Sequence, residues 1–287
     1  MTGRWHLVVQ GPSLDRRHLR ELEQYVDTNT IETLAATAVR FRNVERSADV
    51  TDYCRHNRLD AAYVPTGTRL ADFGVFVTDM DSTLIDIECI DELADLCGRK
   101  AEVSAITDAA MRGEIDFAES LRRRVALLAG MGQWALDQVY AERLGLRAGA
   151  QQLITELKRA GLHTVLVSGG FTYFTERLRT RLGFDETHAN TLEIIDGRVT
   201  GRVLGAIVDG AAKRRALEQA CSRLGLAPSQ AIACGDGAND CDMLAVAGIG
   251  IGYRRGGGEG LPPRPALRAA RAPPGERLPR RQEGGGG

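Results

Sequence analysis

Short apolar runs and stretches of helical periodicity alternate over the first 70 residues of the chain. Two runs predict strands and two periodic stretches predict helices: strands at 5–9 (WHLVV) and 61–64 (AAYV), helices from Leu14 to Val26 and near Ala48 to His56. A turn-rich stretch, 65–68 (PTGT), follows. We therefore expect a small, regulatory-like α+β domain over residues 1–70.

A nearly continuous apolar run at 73–78 (FGVFVT) opens the second part of the chain and predicts a strand buried on both faces. From Ile87 to Arg143 the pattern is helical almost throughout. Strand and helix signals then alternate, at 163–167, 171–182, 211–224, 231–234 and 240–247. This alternation predicts a parallel α/β sheet in a second domain, residues 71–252, with a helical insertion after its first strand.

Asp196-Gly197 is the strongest hairpin signal in the chain. The pair stands between two apolar stretches, 190–195 and 198–204, which are long enough to form strands. We expect this β-hairpin to lie at the edge of the sheet.

Residues 253–287 differ in composition from the rest of the chain. They hold 9 Gly, 6 Pro, 8 Arg and 3 Glu, which predicts a basic and disordered tail. The tail carries +5, so residues 1–252 carry -6 of the total charge of -1. Because its arginines are dispersed among Gly and Pro, with no aromatic residue after Tyr253 to stack on bases, a solvated tail is favoured over a nucleic-acid-binding arm.

Composition narrows the class of protein further. Lys and Arg number 37 against 38 Asp and Glu, so the chain lacks the excess charge of a nucleic-acid binder. Its six cysteines contain no CxxC pair, which predicts reduced thiols and neither a disulfide scaffold nor a zinc site. No apolar run approaches the ~20 residues that span a bilayer. We expect a cytoplasmic protein with no membrane or nucleic-acid partner.

Two carboxylates, Asp79 and Asp81, directly follow the predicted buried strand. The carboxyl end of a strand in an open α/β sheet is where ligands collect. Because the chain must turn there, Asp79 can face a substrate as nucleophile while Asp81 reaches a leaving group as general acid and base. Taken alone, such a pair is more often an Asx turn or a helix cap than a catalytic pair.

Three later motifs also lie at strand ends or helix starts. Ser168-Gly169-Gly170 ends a strand with a hydroxyl and two glycines, whose N–H groups can bind an anion. Lys213, at a helix start, can neutralise a phosphoryl oxygen. The loop 235–240 (GDGAND) offers the hard oxygen ligands that Mg²⁺ prefers.

The order of these four motifs resembles that of the haloacid dehalogenase superfamily over residues 73–252. The resemblance implies a Rossmannoid parallel sheet with a helical cap at about 88–143, and an Asp that attacks phosphorus with the help of Mg²⁺. It assigns Mg²⁺ to the carboxylates of Asp79 and Asp236 and the backbone carbonyl of Asp81, with Asp240 orienting the site.

Three segments look more specifically like bacterial phosphoserine phosphatases: 79–92 (DMDSTLIDIECIDE), 116–125 (DFAESLRRRV) and 167–171 (VSGGF). The likeness implies hydrolysis of O-phospho-L-serine, the last step of serine biosynthesis. It also implies a set of substrate contacts: Glu88 and Arg124 at the amino-acid end, Phe117 as an apolar wall, and Ser168, Gly169, Lys213 and Asn239 at the phosphate. A solvated helix surface is the alternative for the Glu88 and Arg124 side chains.

Other functions stay open at this point. One is a phosphatase or phosphotransferase acting on another small phosphorylated alcohol, such as phosphohomoserine, and another is a non-catalytic regulator that binds amino acids. A homodimer is among the assemblies we consider. After Gly252, family members continue with a Lys-Pro element, a strand and a helix. A shift of reading frame in GC-rich coding sequence would produce the Arg, Gly and Pro found here instead, which sequencing the 3′ end of the gene tests.

Overall fold

The computed structural model describes residues 4–28 and 30–253. Its N-terminal part is a four-stranded antiparallel sheet in the order β2-β3-β1-β4, with two helices. The elements run as follows: β1 Trp5–Gln10, α1 Arg16–Leu22, β2 Ile31–Ala35, β3 Ala38–Val44, α2 Ala48–His56 and β4 Asp60–Pro65. The predicted strands and the second helix are confirmed, while the predicted tail beyond Tyr253 lies outside the described residues.

Two expectations for this part need correction. The first helix is shorter than predicted at both ends: it begins at Arg16 because Asp15 caps it, its carboxylate accepting the N–H groups of Arg17 and His18, and it ends at Leu22. The hairpin β2–β3 was not predicted, since charged side chains interrupt its apolar pattern. Its exposed face carries an ion pair between Glu32 and Arg42, with 2.5 Å between the charged atoms.

The second part contains a six-stranded sheet in the order β10-β9-β5-β6-β7-β8, parallel except for β8. Its strands and flanking helices are β5 Val75–Thr78, α7 Ala150–Arg159, β6 His163–Phe171, α8 Thr172–Leu182, β7 Glu186–Ile195, β8 Arg198–Leu204, α9 Gly210–Arg223, β9 Ala231–Gly235, α10 Cys241–Val246 and β10 Ile249–Gly252. The predicted parallel α/β sheet is confirmed. Helix α7 lies in a stretch for which the sequence pattern assigned no element.

The central strand β5 is buried on both faces, as its continuous apolar run predicts. Val75 and Val77 pack into one core cluster with helix α9, and Phe76 packs into a larger cluster on the opposite face. Strands β6 and β9 flank β5 in parallel. The carboxyl ends of these three strands therefore meet at one edge of the sheet.

Four helices lie between β5 and helix α7: α3 Cys89–Leu96, α4 Lys100–Met111, α5 Phe117–Ala126 and α6 Trp134–Gln138, which continues as a π-helix over Val139–Arg143. We call these helices the cap. The two segments that join the cap to the sheet pair with each other, since the N–H of Asp86 donates to the carbonyl of Gly145 (3.0 Å). The N–H of Arg147 donates likewise to the carbonyl of Leu84 (3.0 Å).

The predicted hairpin at Asp196-Gly197 is confirmed, and both residues have the positive φ that such a turn requires (50° and 72°). It also contacts the cap, which the sequence did not indicate. The N–H of Gln133 donates to the carbonyl of Gly197, and the N–H of Gly130 donates to that of Val199, both at 2.8 Å. The edge hairpin thus supports one side of the cap.

The sequence excluded a membrane-spanning segment and a disulfide scaffold, and the described part of the chain can be examined for both. None of its helices is both long and apolar enough to cross a bilayer. All six cysteines fall within it, and each is a free thiol.

Candidate active site

The chain turns sharply after β5 and separates the two aspartates of the first motif. Asp79 continues the strand, its N–H donating to the carbonyl of Cys234 on β9 (2.9 Å). Ser82 then adopts a left-handed conformation (φ 57°), and the N–H groups of Leu84 and Ile85 both donate to the carbonyl of Met80. As a result, the Asp79 and Asp81 carboxylates take different hydrogen-bond partners.

Asp81 contacts both the cap and the sheet. One carboxylate oxygen accepts the N–H of Cys89, the first residue of α3 (2.8 Å), and the other accepts the hydroxyl of Ser168 (3.1 Å). Burial raises the pKa of Asp81, while these two hydrogen bonds act in the opposite direction. Asp81 is therefore not the N-cap residue of α3, which is Glu88: one of its oxygens binds the first N–H of that helix, and the other joins Asp81 to the motif at the end of β6.

Lys213 lies in the first turn of α9, as predicted, and is completely buried. Its Nζ is 2.7 Å from a carboxylate oxygen of Asp79 and 2.7 Å from one of Asp240. Burial alone would lower the pKa of Lys213, but the two carboxylates outweigh burial and raise it, so the ammonium group is charged. The structure thus gives Lys213 two carboxylate partners; its contact with phosphate stays a prediction.

The carboxylates of Asp79, Asp236 and Asp240 each offer an oxygen within 4.8 Å of the others. The hydroxyl of Thr83 donates to Asp236 and the N–H of Gly237 donates to Asp240, both at 2.8 Å. Burial raises the pKa of Asp79 well above its usual range. Three carboxylates facing one ammonium group leave excess negative charge at this edge, so the oxygen donors fit a divalent cation such as Mg²⁺.

The loop leaves little room beside the acidic groups. A Cβ on Gly235 would clash with the Cβ and Cγ of Asp240, whereas one on Gly237 would clash only with the Oδ1 of Asn239, the far end of a flexible side chain. The side-chain oxygen of Asn239 thus lies close to the backbone of Gly237 in its own loop. Its contact with phosphate stays a prediction.

Ser168-Gly169-Gly170 lies beside Asp81, as the predicted meeting of strand ends implies. The hydroxyl of Ser168 accepts the N–H of Gly170 (2.8 Å) while it donates to Asp81. A Cβ on Gly169 would come within 2.7 Å of the ring of Phe117, so this ring from the cap covers the loop directly. The predicted apolar wall and the predicted anion loop are therefore in contact.

Glu88 and Arg124 are half-buried, which argues against the solvated-surface interpretation. Glu88 accepts the hydroxyl of Ser82. Burial raises the pKa of Glu88 to about 8, and the nearby charge of Asp81 adds to this. Burial lowers the pKa of Arg124, whereas Asp91, Glu88 and Asp81 partly restore it. An acid and a base of the cap thus lie close enough to influence each other electrostatically.

One residue of this region was missed by the sequence analysis. Asn190 on β7 is 1% exposed, and its side chain donates to the carbonyl of Gly169 (2.8 Å). Asn190 lies in the middle of a strand with several other polar residues, and its partner is a backbone carbonyl 21 residues away, so the sequence carried no clear signal for its role.

The sequence of this chain is similar to a known family and to several known proteins. The family model of haloacid dehalogenase-like hydrolases matches residues 76–245. A phosphoserine phosphatase of Polaromonas sp. is 55% identical over 190 residues, which cover 64% of this chain and 80% of that protein. The phosphoserine phosphatase of Haemophilus influenzae is 38% identical over 250 residues, 86% of this chain and 79% of that protein.

Solved structures give the same likeness in three dimensions. An unliganded probable phosphoserine phosphatase from Vibrio cholerae is 34% identical, with a TM-score of 0.75 over 87% of this chain and 78% of that one. A substrate-bound phosphoserine phosphatase complex is 37% identical, with a TM-score of 0.58 over 62% of this chain and 84% of that one.

Proposed function

The chain belongs to the haloacid dehalogenase-like hydrolase family, and we propose that within it this protein hydrolyses O-phospho-L-serine to L-serine and phosphate. One observation carries the proposal: the carboxylates of Asp79 and Asp81 lie at the same edge of the sheet as the loop 168–170, beneath a cap that brings Glu88 and Arg124 within electrostatic reach of each other. Hydrolysis of this ester is the last step of serine biosynthesis, and we place the protein in the cytoplasm.

The reaction takes place in two displacements at phosphorus. A carboxylate oxygen of Asp79 forms a bond to phosphorus while the bond to the serine oxygen breaks, and Asp81 donates a proton to that oxygen. L-serine leaves and Asp79 carries the phosphoryl group. Asp81 then takes a proton from water, whose oxygen attacks phosphorus, so phosphate is released and Asp79 regenerated.

The phosphoryl group needs positive charge and hydrogen-bond donors around it, because negative charge is spread over its oxygens in the transition state. We assign this task to Lys213, the hydroxyl of Ser168, the backbone of Gly169 and the amide of Asn239. Lys213 is charged and fully buried, so its field acts in a poorly solvated site.

A magnesium ion would be held by Asp79, Asp236 and the backbone carbonyl of Asp81, with Asp240 keeping Lys213 in place. When bound, it would neutralise the excess carboxylate charge and polarise the phosphate. The hydroxyl of Thr83 orients Asp236 for this role.

The cap recognises the amino-acid end of the substrate in this proposal. Glu88 pairs with the ammonium group, Arg124 with the carboxylate, and Phe117 covers the methylene group. The raised pKa of Glu88 supports the assignment, because burial and the nearby charge of Asp81 disfavour the ionised carboxylate, which a substrate ammonium group would stabilise. In domain terms, we propose residues 1–70 as a separate N-terminal domain and residues 71–252 as the phosphatase domain, with the cap at about 88–143.

Phosphate release from O-phospho-L-serine by the purified chain tests the proposal, measured with Mg²⁺ and with EDTA. We expect metal-dependent release, with Asp79→Asn inactive but folded because the nucleophile alone is lost. Asp108→Asn, an exposed change on α4, is the matched control and should keep full activity.

Two results would contradict the proposal. Faster release from phosphohomoserine than from phosphoserine would favour a phosphatase for another small alcohol. Binding of phosphoserine to a folded chain without any phosphate release would favour a non-catalytic regulator.

A further inference from the structure

Residues 168–170 interrupt the hydrogen-bonded ladder between β6 and β7. Val167 pairs with His188 and Phe171 pairs with Asn190, so three residues on β6 stand opposite one residue on β7. Residues in such a bulge lose their ladder partners. Their buried carbonyl and N–H groups must be satisfied in another way.

The side chain of Asn190 supplies one of these partners. Its Nδ2 donates to the carbonyl of Gly169 and its Oδ1 accepts the N–H of Val208, both at 2.8 Å. Because the N–H of Val208 can only donate, the oxygen of the amide must face it. The NH₂ group is thereby directed at Gly169, and the residue is 1% exposed.

The carbonyl of Gly169 and the N–H of Gly170 belong to the same peptide group. A trans peptide is planar, so its C=O and N–H point in opposite directions. Holding the carbonyl toward β7 turns the N–H toward the hydroxyl of Ser168, 2.8 Å away, which donates in turn to Asp81. Since neither glycine has a Cβ, their own conformational preferences do little to hold this peptide group in place.

We propose that Asn190 is a positioning residue for the reaction. By holding the carbonyl of Gly169 it keeps the N–H of Gly170 directed at Ser168, and so directs the single hydroxyl proton of Ser168 toward Asp81 or a phosphate oxygen. Asn190 itself touches neither substrate nor metal in this role. The inference rests on the proposed function, whose phosphoryl group lies against this loop.

Asn190→Asp is the sharpest test, because it keeps the shape of the side chain and an acceptor for Val208 but loses the donor to Gly169. We expect kcat for phosphoserine to fall roughly 10- to 100-fold, as for loss of a buried hydrogen bond that acts in the transition state. KM should change little, because the cap residues bind the amino-acid end. Asn190→Ala removes both hydrogen bonds without adding charge, which covers the case in which a buried carboxylate prevents folding.

A second readout does not depend on turnover. Hydrogen exchange at the Gly170 amide, followed by NMR, should accelerate about tenfold or more in both variants because the peptide group is released. Thr191→Ala, the exposed neighbour on β7, is the matched control and should change neither kcat nor Gly170 exchange.

A lower melting temperature with unchanged kcat and unchanged Gly170 exchange would overturn the proposal, because Asn190 would then be purely structural. Failure of the proposed function gives a different result. If the unmodified protein releases no phosphate from phosphoserine, the proposed function is wrong. The positioning role of Asn190 is still tested in that case: accelerated exchange at Gly170 in the variants supports it, and unchanged exchange overturns it.

Discussion

The two ends of the proposed substrate pocket are built in different ways. At the phosphate end, the charged groups come from strand ends and from the start of helix α9 and are held by one another or by neighbouring residues, since Lys213 contacts Asp79 and Asp240 while the Thr83 hydroxyl contacts Asp236. At the amino-acid end, Glu88 and Arg124 come from the cap, and their pKa values are shifted toward their neutral forms by burial. The phosphate end is therefore preorganised, whereas the amino-acid end gains its main stabilisation when a ligand brings opposite charges.

The largest effect should follow from breaking the network at the phosphate end. Lys213→Met keeps the length of the side chain but leaves buried carboxylates without their ammonium partner. We expect a loss of about 3–5 kcal/mol in the free energy of unfolding, measured by denaturant titration, because a buried charge loses its counter-charge. We also expect kcat to fall roughly 10³-fold.

Lys158→Met is the matched control for this change. Lys158 forms an ion pair with Asp185 at the surface, 2.7 Å between charged atoms, and a pair of this kind contributes about 0–1 kcal/mol. If Lys213→Met and Lys158→Met lowered the free energy of unfolding equally, the buried network would contribute no more to stability than a surface ion pair.

A smaller and more selective effect should follow at the amino-acid end. Arg124→Ala removes the proposed partner of the substrate carboxylate, so KM for phosphoserine should rise roughly 10- to 100-fold. Hydrolysis of 4-nitrophenyl phosphate, which lacks that carboxylate, should change far less. Steady-state kinetics with both esters make the comparison.

Arg123→Ala provides the control on the same helix, since Arg123 is exposed and pairs with Glu119 (2.7 Å). It should leave KM for both esters unchanged. An equal loss of activity on both esters in Arg124→Ala would instead assign Arg124 to the phosphate end, and the contrast between the two ends would fail.

The sequence predicted the phosphate end of the pocket better than the amino-acid end, because the phosphate end is built on the sheet. Parallel strands align their carboxyl ends, so Asp79, Ser168 and Asp236 could be brought together from strand signals alone. At the cap, only the family resemblance distinguished Glu88 and Arg124 from the other charged residues of the helices.

The features missed from the sequence depend on contacts that no local pattern records. Asn190 binds a carbonyl exposed by a bulge in the neighbouring strand, and that bulge is visible only in the pairing register. The hairpin at Gly197 was predicted as an edge element, but its hydrogen bond from Gln133 of the cap required the tertiary structure. Hairpin β2–β3 escaped because charged side chains on its exposed face mask the apolar alternation.

The most direct test of the difference between the two ends is a pH dependence at Glu88. With a pKa of about 8, against an ordinary value of 4.5, Glu88 stays protonated through most of the neutral range. The folded protein then binds more protons than the unfolded chain, so this contribution to stability is present at low pH and is lost as pH rises through 8. The difference in unfolding free energy between the unmodified protein and Glu88→Gln should therefore decline from pH 5 to pH 8.

Saturating phosphoserine should remove that decline, because its ammonium group stabilises the ionised form of Glu88 and returns its pKa toward the ordinary value. In the same pH range, affinity for phosphoserine should rise with pH more steeply in the unmodified protein than in Glu88→Gln, because titration of the substrate phosphate at about pH 6 is common to both. Glu102→Gln, an exposed change on α4, should leave both profiles as they are. Matching profiles for the unmodified protein and Glu88→Gln would mean that the cap carboxylate is already ionised without substrate, and that both ends of the pocket are preorganised.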